Sequence, residues 1–233
     1  MAHREQMQFV ATVRAHFPDA FNGARVLEVG SLDINGSVRR FFEGGSYLGL
    51  DVAEGAGVDV VCQGQDYAAP DGSFDCVISC EVMEHNPHWR ATFANMARLC
   101  RPGGLVVMTC ASRGRPEHGT ARTDPRSSPL TVGKGWSYYR NLVAADFTNA
   151  LPMAELFSEW RFFRHFGSKD LYFVGFRSGG PAPAAAALRW IGLVCVWRNL
   201  ASWRAIRHGL LLAVLGERRF LERRGHLAPM AGA

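Results

Sequence analysis

The chain reads as an α/β protein, a three-layer sandwich around a mostly parallel sheet. Three observations carry this reading. Apolar runs at about 24–30, 46–52, 58–63, 74–80 and 104–111 are rich in Val, Ile and Leu without alternation, as expected of strands covered on both faces. Segments with apolar residues at helical spacing stand beside them. Two aromatic runs, Trp160 to Phe166 and Leu171 to Phe176, flank Gly167-Ser-Lys-Asp170, which is a hairpin signal.

The elements follow in order. Arg4 to His16 places Phe9, Val10, Val13 and Phe17 at helical spacing and predicts a helix over the mouth of the sheet, ended by Pro18-Asp19. After the first strand, Asn35-Gly36 is a turn dipeptide suited to positive φ. Ser37 then suits an N-cap for a short helix, Val38 to Phe42. Only Ala53-Glu-Gly-Ala-Gly57 separates the second and third strands, whereas a parallel crossover needs a dozen residues or more. Either the third strand is a short edge piece reached by an extended loop, or the usual helix is missing. Asn86-Pro87 opens a helix to about Cys100, with Asn as N-cap and Pro in the first turn. A long connection follows Ser112, containing Pro125, Pro129 and Trp136-Ser-Tyr-Tyr139, and Leu142 to Leu156 forms a helix broken near Pro152. Gly179-Gly-Pro-Ala-Pro183 reads as a linker. It divides the chain into a domain over 1–178 and a tail over 179–233, where Trp190, Val194, Trp197 and Ala201, then Ile206, Leu210, Val214 and Arg218, recur at helical spacing.

Composition narrows the function classes. An apolar fraction of 48% and a charged fraction of 20% are those of an ordinary globular protein. No basic segment followed by an apolar one opens the chain, so no secretory signal is expected. The cysteines at 62, 76, 80, 100, 110 and 195 form no Cys-x-x-Cys pair. They read as thiols in a reducing cytoplasm, not as a disulfide frame. The formal charge of +5 is uneven: residues 180–233 carry eight Arg and two Glu, and the rest is close to neutral. A near-neutral domain lacks the basic face that nucleic acid demands.

Two stretches carry the chemistry. Val26-Leu-Glu-Val-Gly30 is an apolar run ending in an acid and a glycine, and Tyr47-Leu-Gly-Leu-Asp51 ends in an acid about 20 residues later. That layout fits a nucleoside cofactor held across the carboxyl ends of neighbouring parallel strands. Gly30 lets the backbone approach the cofactor, and Asp51 suits the two vicinal hydroxyls of a ribose. The loop lacks the Gly-x-Gly-x-x-Gly that admits a pyrophosphate, so a nicotinamide or flavin oxidoreductase is disfavoured.

Read in order, Glu28-Val-Gly30, Asp51, Ser73-Phe74-Asp75, Glu84-His85 and Pro102-Gly103-Gly104 resemble the class I S-adenosylmethionine-dependent methyltransferases, closest to their type 11 group. The match covers roughly residues 24–112. It departs from the family where Gly-x-Gly-x-Gly is replaced by Gly30-Ser-Leu-Asp-Ile-Asn-Gly36. The resemblance implies a Rossmann-like, seven-stranded sheet closed by the antiparallel hairpin, and S-adenosylmethionine as cofactor. It also implies site residues: Glu28 toward the methionine amine, Gly30 and Ser31 in the loop, Asp51 on the ribose, Asp66 and Tyr67 beside the adenine, and Cys80 and Glu81 along the methionine part. Asp75 is expected to fix the loop entering the fourth strand and to touch no ligand.

Methyl transfer chiefly needs a positioned, desolvated nucleophile. A hydroxyl acceptor also needs its proton taken, which histidine suits. His118, among glycines in the long connection, is the first candidate base, and His85 the second. Trp136, Tyr138 and Tyr139 are candidate walls of an acceptor pocket. Glu81, Glu84, His85 and His88 resemble a metal cluster, but Pro87 interrupts their spacing and no further ligands complete a shell, so no metal is expected. The expected function is methylation, on oxygen, of a small-molecule or sugar-containing acceptor. A binding or scaffold protein that has kept the cofactor fold is the rival reading. For the tail, a helical pair packing on the domain or on a second copy stands beside a basic helix lying on an anionic membrane surface. Its apolar stretches are far short of the ~18–20 residues that span a bilayer.

Overall fold

The computed structural model describes residues 3–181 and 185–227. Residues 182–184, part of the linker read from the sequence, lie outside them. Helix α1 (Arg4–His16) leads into β1 (Arg25–Val29), β2 (Ser46–Asp51), β3 (Val60–Val61) and β4 (Phe74–Cys80), then α2 (Trp89–Leu99) and β5 (Cys100–Ala111). The connection after β5 holds α3 (Pro129–Gly133), α4 (Ala144–Ala150) and α5 (Met153–Leu156). The hairpin is β6 (Phe157–His165) and β7 (Asp170–Arg177), followed by α6 (Ala185–Leu200) and α7 (Trp203–Arg223).

The seven strands lie in the order β3-β2-β1-β4-β5-β7-β6. Neighbours from β3 to β5 pair parallel, and β7 runs antiparallel to both β5 and β6. Because β2 and β4 flank β1 on opposite sides, the order reverses there, and the carboxyl ends of β1 and β4 open a crevice. Successive side chains of each strand feed two cores. Val26, Ile78 and Val107 join Phe9, Val13, Leu188 and Ile191 on one face. Leu27, Val77 and Val106 join Phe93, Met96 and Phe147 on the other. Both faces being covered, the strands carry no polar alternation.

Several expectations need correction. Helix α1 lies on a face of the sheet, not over its mouth; its N-cap His3 and, in its first turn, Gln6 reach the carboxyl ends. The third strand shrinks to an edge pair, Val60–Val61, bonded to Leu50 and Asp51, so the short loop before it needs to carry no helix. Val38–Phe41 is a 3₁₀ turn, capped by Ser37 Oγ accepting from Arg39 N–H at 3.1 Å. Helix α2 starts later than read, because Asn86 Oδ1 takes the His88 N–H at 2.7 Å and forms a turn ahead of the helix. The break near Pro152 separates α4 from α5.

The tail folds back on the domain, and its apolar faces differ from those read. Helix α6 packs on α1 and β6 through Leu188, Ile191 and Cys195, leaving Trp190 and Trp197 exposed. In α7 the buried residues include Ala205, His208, Leu212 and Phe220, with Leu210 and Val214 outward. α6 is apolar around most of its circumference, so spacing alone could not choose its face. Among the described residues no helix is long and apolar enough to cross a membrane.

Candidate functional site

The crevice is built from strand ends. Val29 sits opposite Leu50 in the β1–β2 ladder, so the chain leaves both strands side by side at Gly30 and Asp51. The Gly30 and Ser31 N–H groups both donate to Leu50 O, at 2.8 and 2.9 Å. Gly30 has φ +83, and a Cβ there would lie 2.0 Å from Val82 Cγ2; both facts require glycine. Asp51 Oδ2 accepts from Leu32 N–H at 3.0 Å and Oδ1 from Val52 N–H at 2.7 Å. A carboxylate has about four acceptor sites, so ordering the loop leaves it capacity for a ligand.

Three narrow clefts meet at Gly30. One runs past Asp51, Cys80, Glu81, Val82 and His85 under Ser127–Thr131. A second runs beside Glu28, Ser31 and Cys80. A third passes Asp51, Cys62, Gly64, Gln65 and Asn86 to Trp136. Their volumes are only about 50, 20 and 30 Å³; α3 and the turn before it lie across the first as a roof, Thr131 and Trp136 close the third, and Gln6 and Gly36–Val38 border the second. Glu28 is buried and its Oε2 accepts from Tyr47 O–H at 2.7 Å; burial pushes its carboxyl up to about 7. Ser31 Oγ is buried without a partner.

The remaining predicted residues divide. Asp66 is exposed and lines none of the three clefts. Tyr67 packs on the core, its ring 6.4 Å from that of Phe74. The positions beside the third cleft are instead Cys62, Gly64 and Gln65, one to five residues earlier, and no acidic signal in the sequence pointed to them. Asp75 stands at the far end of the sheet, holding Arg25 and Arg101. Burial opposes its charge, but these arginines hold its carboxyl down at about 2.

On the β4–β5–β7 side lies a buried polar cluster. Glu81 takes a positive φ of 59 and faces His3, whose Nε2 lies 3.6 Å from Glu81 Oε2 and 3.1 Å from Asp170 Oδ2. Arg115 Nη1 donates to Asp170 Oδ1 at 2.9 Å and to Ser168 O. Burial works against the Glu81 carboxylate, yet His3 and then Arg115 hold it at about 2. Glu84 Oε1 accepts from Ala111 N–H at 3.0 Å, and its Oε2 is buried and unpaired. Burial and then the nearby Glu81 push it up to about 8.

His85, His118 and Tyr139 form a triangle of rings with centroids 5.0–5.5 Å apart. His85 faces the first cleft; burial and then His118 push its imidazole down to about 3. His118 stands behind it. Its Nδ1 lies 3.0 Å from Pro116 O, so Nδ1–H donates and Nε2 keeps its lone pair. Burial also lowers its pKa. The four residues weighed as a metal cluster from the sequence, where no metal is expected, do not converge as a set. Glu81 turns to His3 and Asp170, His88 lies against Trp136, and Glu84 and His85 are joined by His118.

Comparisons with known proteins agree with this architecture. A family model described as a methyltransferase domain matches residues 1–172. A curated fatty-acid O-methyltransferase of Mycolicibacterium smegmatis is 36% identical over a stretch covering 38% of either protein, so the chain spans under half of that relative's length. Among solved structures, 1,6-didemethyltoxoflavin-N1-methyltransferase of Burkholderia thailandensis, with S-adenosylhomocysteine bound, superposes with a TM-score of 0.51 at 16% identity over 74% of this chain and 78% of that one. An N-methyltransferase of Haemonchus contortus, in complex with phosphomonomethylethanolamine and S-adenosylhomocysteine, gives 0.51 at 15% identity over 73% and 53%. With the family model over nearly three quarters of its length and the strand order described above, the chain belongs to the methyltransferase-domain family of class I.

Proposed function

We propose that this methyltransferase uses S-adenosylmethionine and delivers the methyl group to an oxygen of a small-molecule acceptor. The observation that carries the cofactor is the meeting of three clefts over Gly30 at the β1–β4 switch, with Asp51 at the neighbouring strand end and an unpaired Ser31 hydroxyl beside Glu28. Asp51 suits the ribose hydroxyls, and Glu28 and Ser31 the amino-acid end. The cofactor supplies an electrophilic methyl on a sulfonium; the chain orients the nucleophile and excludes water.

Oxygen as acceptor atom is supported by His85, which lines the first cleft, and by His118 packed against it. Burial keeps both imidazoles neutral near pH 7, and His118 Nε2 is the basic nitrogen. In this reading His118 takes the hydroxyl proton, while His85 lines the cleft and packs against it. A carboxylate acceptor, the substrate type in the name of the mycobacterial relative, needs no base, and His118 would then only position it.

Calorimetry with S-adenosylmethionine, S-adenosylhomocysteine and NAD tests the cofactor, and labelled methyl transfer to a panel of hydroxy and carboxylic compounds tests the acceptor. Binding of NAD alone overturns the first statement. Label recovered on nitrogen overturns the second.

A further inference from the structure

A second cavity, of about 440 Å³, lies away from the cofactor clefts, between the tip of the β6–β7 hairpin and the kinked helix α7. Its polar lining is Lys169, Arg204, Arg207, His208, Arg223, Arg224 and His226, and its apolar wall includes Leu211 and Phe220. No acidic residue lines it among the described residues. Lys169 is 7% exposed and sits at φ +66, a conformation that lysine rarely takes. Among the described residues its ammonium has no protein acceptor, and neither do the guanidinium groups of Arg204, Arg207 and Arg223. By contrast, the nearby Arg218 is paired with Glu222 at 2.9 Å.

Like charges gathered without a counter-charge repel one another more strongly when partly withdrawn from water. The effect is visible on Lys169: burial, then Arg224, Arg115 and Arg204, push its ammonium down to about 8. Folding therefore gathers exposed guanidinium groups around a largely buried lysine, with no counter-charge among the described residues of the lining. Arginine forks match phosphate oxygens in pairs, and a lysine adds a point charge. The cavity exceeds what a single small inorganic ion needs.

We infer that the cavity between the hairpin tip and α7 binds a phosphate-bearing anion, through Lys169, Arg204, Arg207 and Arg223. A free polyphosphate and a phospholipid headgroup share this chemistry. The exposed Trp190, Trp197 and Trp203 on the same tail are the reason to test the headgroup alongside the free anion. The site is independent of the cofactor clefts, so its failure leaves the methyltransferase reading untouched.

The test uses the full chain. Calorimetry at low salt measures inorganic pyrophosphate; sedimentation compares phosphatidylcholine vesicles with vesicles also containing phosphatidic acid. Two double variants are compared: Arg204→Gln with Arg207→Gln inside the cavity, and Arg189→Gln with Arg219→Gln outside it. All four arginines are exposed, so melting temperature and S-adenosylhomocysteine affinity should stay unchanged. The expected result is saturable binding that weakens with salt, falls at least tenfold in the cavity variant and changes less than twofold in the outer one. Pyrophosphate binding with this pattern identifies a free anion; vesicle binding alone, with the same pattern, identifies the headgroup. Absence of both, or an equal loss in both double variants, overturns the site.

Discussion

Glu217 Oε1 accepts a hydrogen bond from Asn141 Nδ2 at 2.6 Å. It also accepts from the Gly114 N–H at 2.8 Å, so one carboxylate in the tail ties both ends of the connection that roofs the cofactor clefts. The bond depends on a kink in α7 at Gly216, with φ 72 and ψ 169, a region open in practice only to glycine. Leu212 and Phe220 stand on either side of the kink and close over Gly114.

Removing this tie should loosen the roof. Glu217→Ala leaves two donors without their charged acceptor, typically ~1.5–3 kcal/mol per such bond. For the two bonds together that is ~3–6 kcal/mol, so the melting temperature should fall by roughly 6–24 °C. Gly216→Ala should cost about 1–3 kcal/mol by backbone strain alone. Thermal denaturation of both variants checks this; wild-type midpoints in both would show that the tail does not support the roof.

Asp51 is the sharpest test of the cofactor site. Asp51→Asn keeps the size of the side chain and removes its charge. S-adenosylhomocysteine affinity should drop roughly 10- to 150-fold, the equivalent of ~1.5–3 kcal/mol. The melting temperature is read in parallel, because the same carboxylate orders Leu32 and Val52. Unchanged affinity would remove Asp51 from the site.

How much of this was legible before the structure varies by position. Gly30 and Asp51 announce themselves because a strand end followed by glycine or an acid is a local pattern with a local cause. The strands and the hairpin are legible for the same reason, through non-alternating runs and a turn, whereas the order of the strands is not. Gln65 and Cys62 are not, since what brings them to the cleft is the shortness of β3. The ion pair of His3 with Asp170 joins residues far apart in the chain and leaves no periodic trace. The faces of α6 were misread because Trp190 and Trp197 share the helical spacing with Leu188, Ile191 and Cys195, and only packing against Phe163 and α1 decides between them.

The roof must move for ligand to enter. The clefts hold about 100 Å³ together, whereas sites for molecules of this size usually enclose ~300–1,000 Å³. Hydrogen exchange should therefore be faster over residues 127–136 in the free protein than in the core strands. It should slow there when S-adenosylhomocysteine binds. Exchange over this segment that is indifferent to ligand would place the entrance elsewhere.

For the histidine pair, the sign of the pH effect follows from burial. His118 is pushed below its ordinary value near 6.5, so its basic form persists to lower pH. With a hydroxyl acceptor, kcat/KM should rise through an apparent pKa below ~6.5 and then level off. His118→Gln should lower kcat by ~10²-fold, flatten that limb and leave cofactor affinity nearly unchanged. A variant with full activity and a wild-type pH profile passes the role to His85 or indicates an acceptor that needs no base.

The last prediction concerns His3, which ties α1 to the polar cluster. Burial alone would lower its pKa, but the carboxylates of Asp170 and Glu81 that face its Nε2 raise it to about 10. In the unfolded chain it titrates near 6.5. Between those values the folded state holds the extra proton, so stability falls as pH rises. The contribution is full below about pH 6.5 and is lost by about pH 10. His3→Gln removes it; the contact of His3 Nδ1 with the Gln6 N–H at 3.4 Å is open only to the neutral ring, because both nitrogens of the charged ring are donors. Denaturant unfolding of both proteins at pH 6, 8 and 10 should give a stability difference that is largest at pH 6 and shrinks toward pH 10. A difference that does not shrink would mean that the ion pairs of His3 with Asp170 and Glu81 contribute nothing to the fold.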